Sequence, residues 1–196
     1  MRRLRVGIDV DEVLCDFQSG FTLIANRLHG TPKGLAPCDW NWSNYNLSHE
    51  KLEACWTVIK NTPNWWDSLP AAPGCMQLLG LTERYEMFFI TNRVPSAGDP
   101  VEIQTARWIA RNTGLVWPTV LVAKDANNKA ALGAALGLDG FVDDRLKNCL
   151  EMEIEVPKCR IFLHTASHNV NEPITCLPRV GSLAEMWRIL DERKEV

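Results

Sequence analysis

Two carboxylates, Asp9 and Asp11, end the apolar run Leu4 to Ile8 near the start of the chain. Residues i and i+2 of a strand point the same way, so both acids can reach one point beyond the strand's end. Ligands of open α/β sheets bind in that region, outside the carboxyl ends of the strands. Crowded acids repel unless a cation joins them, so the pair implies a divalent metal, a phosphate-bound metal, or both. Taken alone, such a pair serves equally well to cap a following helix. Other strand ends shift that balance. Thr91 and Asn92 follow the apolar Met87 to Ile90, Lys124 and Lys129 follow Thr119 to Ala123, and Asp143 and Asp144 follow Gly140 to Val142. A parallel sheet carries all these ends on one edge. Receiver domains also combine carboxylates, a Thr and a Lys, but their acid doublet comes early. Here the doublet comes last.

Strands alternating with helices predict a parallel sheet wrapped on both faces. Val13, Phe17, Phe21, Ile24 and Leu28 lie near helical spacing and predict a helix over 12–28, broken by Gly30-Thr31-Pro32-Lys33-Gly34. Beyond Pro73-Gly74 helices are expected over 75–84, 100–113 and 127–138, and a further strand over 160–163. Asp99-Pro100-Val101-Glu102 offers a cap, a first-position proline and a glutamate at the third position, and Ser182-Leu183-Ala184-Glu185 opens a terminal helix with a capping box. Residues 30–73 hold no convincing strand. They concentrate Trp40, Trp42, Tyr45, Trp56, Trp65 and Trp66, and fit one helix capped by Ser48 with Leu52, Trp56 and Ile59 on one face. The expected organisation is an α/β core domain, a doubly wound parallel sheet of residues 1–29 and 74–196, with a small, mainly helical insertion over 30–73.

Composition excludes several classes. The 196 residues are 46% hydrophobic with net charge −3, so the chain can bury a core and lacks the basic balance that long nucleic acid or an acidic membrane surface would attract. No stretch approaches the ~18 apolar residues of a membrane span. Met-Arg-Arg-Leu-Arg resembles the charged start of a signal peptide, but Asp9, Asp11 and Glu12 interrupt the apolar stretch behind it. Seven scattered cysteines without a Cys-x-x-Cys pair read as reduced thiols, and a cytoplasmic location is expected.

The ordered strand ends resemble the four motifs of the haloacid-dehalogenase-like (HAD) superfamily of aspartate-nucleophile phosphatases. They read Ile8-Asp9-Val10-Asp11-Glu12-Val13, then Ile90-Thr91-Asn92, a lysine, and Phe141-Val142-Asp143-Asp144-Arg145. Within it the chain looks most similar to the 5'(3')-deoxyribonucleotidases. That likeness rests on residues 9–17, on Trp65-Trp66-Asp67-Ser68-Leu69-Pro70 before Pro73-Gly74, on Phe162 to Asn169, and on Arg179-Val180, and it spans nearly the whole chain.

The resemblance implies a Mg²⁺-dependent phosphatase acting on (deoxy)ribonucleoside 5'-monophosphates through an aspartyl-phosphate. Asp9 would be the nucleophile and Asp11 the acid and base. Mg²⁺ would take Asp9, the Asp11 carbonyl and Asp144, with Asp143 close by. Thr91, Asn92 and a lysine, Lys129 or its competitor Lys124, would hold the phosphate. Residues 30–73 would form a small cap, with Phe17, Trp65 and Trp66 where the family's base-stacking aromatics lie, although tryptophans also suit the core of a small cap. Arg93 and Lys124 add positive charge near the phosphate site that would widen substrate choice towards larger phosphate esters. Glu12 stands where the family often carries glycine. His164 and His168 lack a third spaced ligand, so the His168-Asn169 pair is expected to shape the loop beside the site. The expected partner is a small nucleotide, with no long nucleic acid and no membrane; the sequence leaves a homodimer open. The alternatives are a HAD phosphatase of another small ester or of a polynucleotide end, and a non-catalytic nucleotide-binding module, against which intact Asp9 and Asp11 speak.

Overall fold

The computed structural model describes residues 2–123, 128–172 and 177–192. Six strands, β1 (Leu4–Ile8), β2 (Tyr85–Thr91), β3 (Thr119–Val122), β4 (Gly140–Asp143), β5 (Arg160–His164) and β6 (Arg179–Val180), form one sheet in the order β3-β2-β1-β4-β5-β6, with every neighbouring pair parallel. Among the described residues six α-helices accompany them: α1 (Phe17–His29), α2 (His49–Asn61), α3 (Val101–Thr113), α4 (Asn128–Leu136), α5 (Leu146–Glu155) and α6 (Leu183–Asp191). The chain lays β2 and β3 on one side of β1 and then places β4 to β6 on the other. Winding therefore reverses between β1 and β4, which opens a crevice at their carboxyl ends. The Asp9 amide donates to the Val142 carbonyl at 3.0 Å, which carries the pairing past β1 and draws Asp9 beside Asp143.

Alternate side chains of β2 face opposite ways, as a pleated strand requires. Met87 and Phe89 join a cluster with Val6, Ile8, Trp108 of α3 and Trp187 of α6, whereas Phe88 and Ile90 join Phe141, Leu163 and Met152 of α5. Both faces are covered, the condition under which an all-parallel sheet is stable. Gly7 sits in the apolar run of β1 because there is no room for more: a Cβ there would lie 2.6 Å from Leu138 Cδ1.

Several expected elements shift, each for a local reason. The first helix begins at Phe17 rather than at residue 12. The amides of Leu14 and Cys15 both donate to the Val10 carbonyl at 2.9 Å, Glu12 takes φ +61°, and this tight turn consumes residues 10–15 before Asp16 caps α1 by accepting from the Ser19 amide at 2.8 Å. The helix expected over 75–84 shrinks to a 3-10 turn, Leu79–Leu81. Its amide and side-chain donors go elsewhere, Leu78 N to Thr113 O at 2.9 Å and Gln77 Nε2 to Asn112 O at 3.1 Å. They satisfy the last carbonyls of α3, which lack partners within their own helix. Pro100, not Asp99, occupies the cap of α3, and Asp99 instead meets Arg107 at 3.0 Å. Helix α5, in which Leu150, Met152 and Ile154 alternate with Glu151 and Glu153 at a strand-like spacing, is not among the expected elements.

Residues 30–73 contribute α2, capped by Ser48 as expected, and add no strand to the sheet. Their Tyr45, Cys55, Ile59, Trp65, Trp66 and Leu69 share the cluster of β1 and α3. The segment's end is tied to the turn after Asp11 by Ala72 N to Leu14 O at 2.8 Å and Asp16 N to Pro70 O at 2.9 Å.

Candidate active site

Asp9 leaves β1, Asp143 ends β4 and Asp144 follows it, so three carboxylates converge where the winding reverses. Their oxygens lie within 4.8 Å of one another, and all three residues are buried. Lys129, on the first turn of α4, places its Nζ 2.8 Å from Asp9 Oδ1 and 2.8 Å from Asp143 Oδ2. Asp143 is held further by Asn148 Nδ2 at 3.0 Å and by the Arg145 amide at 2.8 Å. Asp144 has His168 Nε2 at 3.1 Å from its Oδ2, and Asn169 Nδ2 donates to its carbonyl at 2.6 Å. Asn148 was missed because α5 was missed; it lies five residues beyond Asp143, on the turn that faces back to the site.

Three buried acids against one ammonium leave a surplus of negative charge. Burial pushes the Asp9 carboxyl well above the usual carboxylate range, with Lys129 opposing and Asp143, Asp144 and Asp11 adding to the rise. Burial and Asp143 raise Asp144 in the same way. Lys129 is desolvated too, but the two carboxylates beside it hold its ammonium above its usual range. A hard divalent cation with oxygen ligands relieves this imbalance, and the donors here are all oxygens. The residues fit Mg²⁺.

Asp11 faces a different partner. Arg93 donates from Nη2 to Asp11 Oδ1 at 2.8 Å and from Nε to Oδ2 at 3.0 Å, and Thr91 Oγ1 and Cys15 Sγ add bonds at 3.2 and 3.0 Å. Burial alone would raise this carboxyl; Arg93, with help from Cys15 and Lys129, more than offsets burial and holds it below the usual range. Arg93 therefore lies behind Asp11 rather than in the substrate cavity, and the Thr91 hydroxyl is turned to Asp11 as well. Asn92 does line the cavity. Lys124 lies outside the described residues.

The cavity above the acids measures about 370 Å³. Asp9, Asp11, Lys129 and Asp144 line it together with Phe17, Trp40, Trp42, Trp56 and Trp66, which form an aromatic wall. The Phe17 ring lies nearly parallel to Trp56 (5.7 Å, 22°) and to Trp66 (6.0 Å, 18°). The Trp66 indole N–H donates to Val94 O at 2.8 Å. Trp65, expected beside Trp66 on this wall, lies behind it: its ring packs on Gly20, where a Cβ would come within 3.2 Å. Adjacent residues of a tight turn point apart, so Trp65 fills core and Trp66 faces the cavity. Trp40, Trp42 and Trp56 supply the rest of the wall. Trp40 is capped by the Arg145 guanidinium at 4.6 Å and meets His168 edge-on at 5.0 Å. Glu12 also lines the cavity, accepts from the Gln18 amide at 2.8 Å, and is pushed up to about 8 by burial.

Among the described residues no helix is long and apolar enough to cross a membrane. Solved structures share the fold. A haloacid dehalogenase-like hydrolase of Burkholderia xenovorans superposes with TM-score 0.58 at 14% identity, covering 98% of each chain. A HAD-hydrolase of Bacillus subtilis, solved bound to magnesium, gives TM-score 0.60 at 12% identity, covering 97% of this chain and 100% of that one. A 2-haloacid dehalogenase of Pseudomonas syringae gives 0.54 at 11%, covering 97% and 99%. No curated protein sequence matches the chain. Over residues 2–194, however, the sequence matches the family model described as 5' nucleotidase, deoxy (pyrimidine), cytosolic type C protein. With a HAD-like core and that match over nearly its whole length, the chain belongs to this 5'-nucleotidase family of phosphoric monoester hydrolases.

Proposed function

We propose that the protein hydrolyses ribo- or deoxyribonucleoside 5'-monophosphates through a phosphorylated Asp9. The observation that carries this reading is the cavity itself, which is lined both by a buried carboxylate paired with an ammonium and by flat aromatic rings. A phosphate needs the first and a nucleobase suits the second, since base stacking contributes about 1–3 kcal/mol per base.

In the first displacement an Asp9 oxygen attacks phosphorus, the bond to the nucleoside 5'-oxygen breaks, and that oxygen takes a proton from Asp11. In the second, water attacks phosphorus, Asp11 takes back a proton, and the acyl-phosphate bond breaks to free Asp9 and inorganic phosphate. The Arg93 pair favours ionised Asp11, the form the second step uses. For the first step, the negative charge of the entering phosphate favours proton uptake by Asp11. Lys129 and Asn92 offset charge on the phosphate oxygens as it builds. Asp9, Asp144 and the Asp11 carbonyl would hold Mg²⁺, with Asp143 alongside; when bound, the ion neutralises phosphate charge and helps orient the group for in-line attack. The aromatic wall keeps bulk water from the acyl-phosphate while the nucleoside remains in place.

Phosphate release from a panel of nucleoside monophosphates, sugar phosphates and end-phosphorylated oligonucleotides tests the reading. Nucleoside 5'-monophosphates should give the highest kcat/KM. A sugar phosphate or an oligonucleotide turned over as well or better would replace the proposed substrate class.

A further inference from the structure

We infer that Arg93 is a positioning residue that orients Asp11 for proton transfer to the leaving group; the inference rests on the phosphatase reading above. A carboxylate on a loop turns freely about its side-chain torsions, whereas proton transfer requires it within hydrogen-bond reach of one particular oxygen. Arg93 removes that freedom with a two-point fork, Nη2 to Oδ1 at 2.8 Å and Nε to Oδ2 at 3.0 Å, a geometry that an ammonium cannot reproduce. The guanidinium is fixed in turn. Its Nη1 donates to Thr105 Oγ1 at 2.9 Å, and Thr105 is pinned on α3 by donating to the Val101 carbonyl at 2.7 Å. Nη2 also donates to Cys15 Sγ at 3.0 Å, and the Trp66 ring covers the group at 4.8 Å. The Arg93 side chain has 0% exposure, so it meets solvent nowhere. A buried ion pair is a poor source of stability when well-packed apolar groups could fill the same space. What this one supplies is a single orientation for Asp11, transmitted from helix α3.

Leaving-group dependence tests the inference. A nucleoside leaves as an alkoxide and needs a proton, whereas p-nitrophenolate leaves with little help, and kcat/KM reports only the steps through that departure. Arg93→Gln should lower kcat/KM for a nucleoside 5'-monophosphate by about 100-fold and for p-nitrophenyl phosphate by less than about 10-fold, in line with what a lost general acid costs. Arg93→Lys, which keeps the charge and loses the fork, should show the same selectivity. Thr105→Val should give a smaller selective loss, about 3- to 10-fold, and carries the test if Arg93→Gln does not fold. In an Asp11→Asn background, Arg93→Gln should cause no further selective loss, because both changes remove one function. Equal losses on the two esters, or losses that add in full to Asp11→Asn, overturn the inference and leave Arg93 a structural residue. A wild-type protein that releases phosphate from neither ester overturns the phosphatase reading itself, and a folded Asp9→Asn variant that keeps its activity overturns the phosphorylated-Asp9 step.

Discussion

Lys129 stands 2.8 Å from Asp9, so the proposed nucleophile and the nearest buried cation form one ion pair, with Asp143 equally close to the same ammonium. Lys129 thus does two things at once. It makes a buried cluster of acids tolerable, and it brings positive charge to the place where phosphate oxygens would sit.

The first prediction separates these. Lys129→Met removes one partner of a buried pair and should cost about 3–5 kcal/mol of stability, read by urea denaturation. The loss should shrink at low pH, where protonation of the orphaned carboxylates removes the charge that needs a partner. Mg²⁺ should recover part of it by binding the folded state. A variant as stable as the wild type at neutral pH would mean that the cluster is already largely protonated.

A second prediction concerns the nucleophile. Asp9→Asn should lower turnover at least about a thousandfold, roughly 4 kcal/mol of barrier, with the fold retained, because Asn presents no carboxylate to phosphorus. Circular dichroism and steady-state kinetics on the same preparation check it. Substantial turnover by the folded variant would sink the aspartyl-phosphate step.

Metal removal gives the third. A chelator should abolish phosphate release and excess Mg²⁺ should restore it. Ca²⁺ should bind the same acids and inhibit, since its looser, larger coordination places the phosphate wrongly for attack. Chelator-resistant hydrolysis would mean that Lys129 and the hydrogen bonds to Asp143 suffice to balance the cluster.

The acids were legible in the sequence because a residue type at a strand end is local information. A parallel sheet then brings Asp9, Asp143, Asp144 and the start of α4 together by topology alone. Residue orientation after a turn was not legible. Trp65 and Trp66 are neighbours in sequence, yet one packs against Gly20 and the other borders the cavity, and only the 3-10 turn Trp65–Asp67 decides which. That turn is fastened from a distance, by Gln104 Oε1 accepting from the buried Trp66 amide at 3.2 Å and by Arg107 and Arg111 on the two Asp67 oxygens. Arg93 was readable as a cation near the site. That it faces Asp11 depends on Thr105, on a helix twelve residues later. Helix α5 escaped because Leu150, Met152 and Ile154 alternate with Glu151 and Glu153, a period of two rather than of a helix, and Asn148 escaped with it.

The last prediction uses this difference between wall and core to ask whether the aromatic cavity recognises a base. Trp56 borders the cavity and makes no hydrogen bond to the acids, which makes it a cleaner probe than Trp66, whose ring also covers Arg93. Trp56→Ala should raise KM for nucleoside monophosphates by about 5- to 150-fold, the equivalent of 1–3 kcal/mol of lost stacking. It should change hydrolysis of a baseless ester such as glycerol phosphate far less. Trp65→Ala should do the opposite: about 3–5 kcal/mol of stability lost to a core cavity, with KM for the two esters moving together. If Trp56→Ala slows both esters equally, the wall acts by keeping the 30–73 segment packed over the acids. If Trp65→Ala raises KM for nucleotides alone, its ring reaches the substrate after all, and the boundary between core and wall has to be redrawn at Phe17.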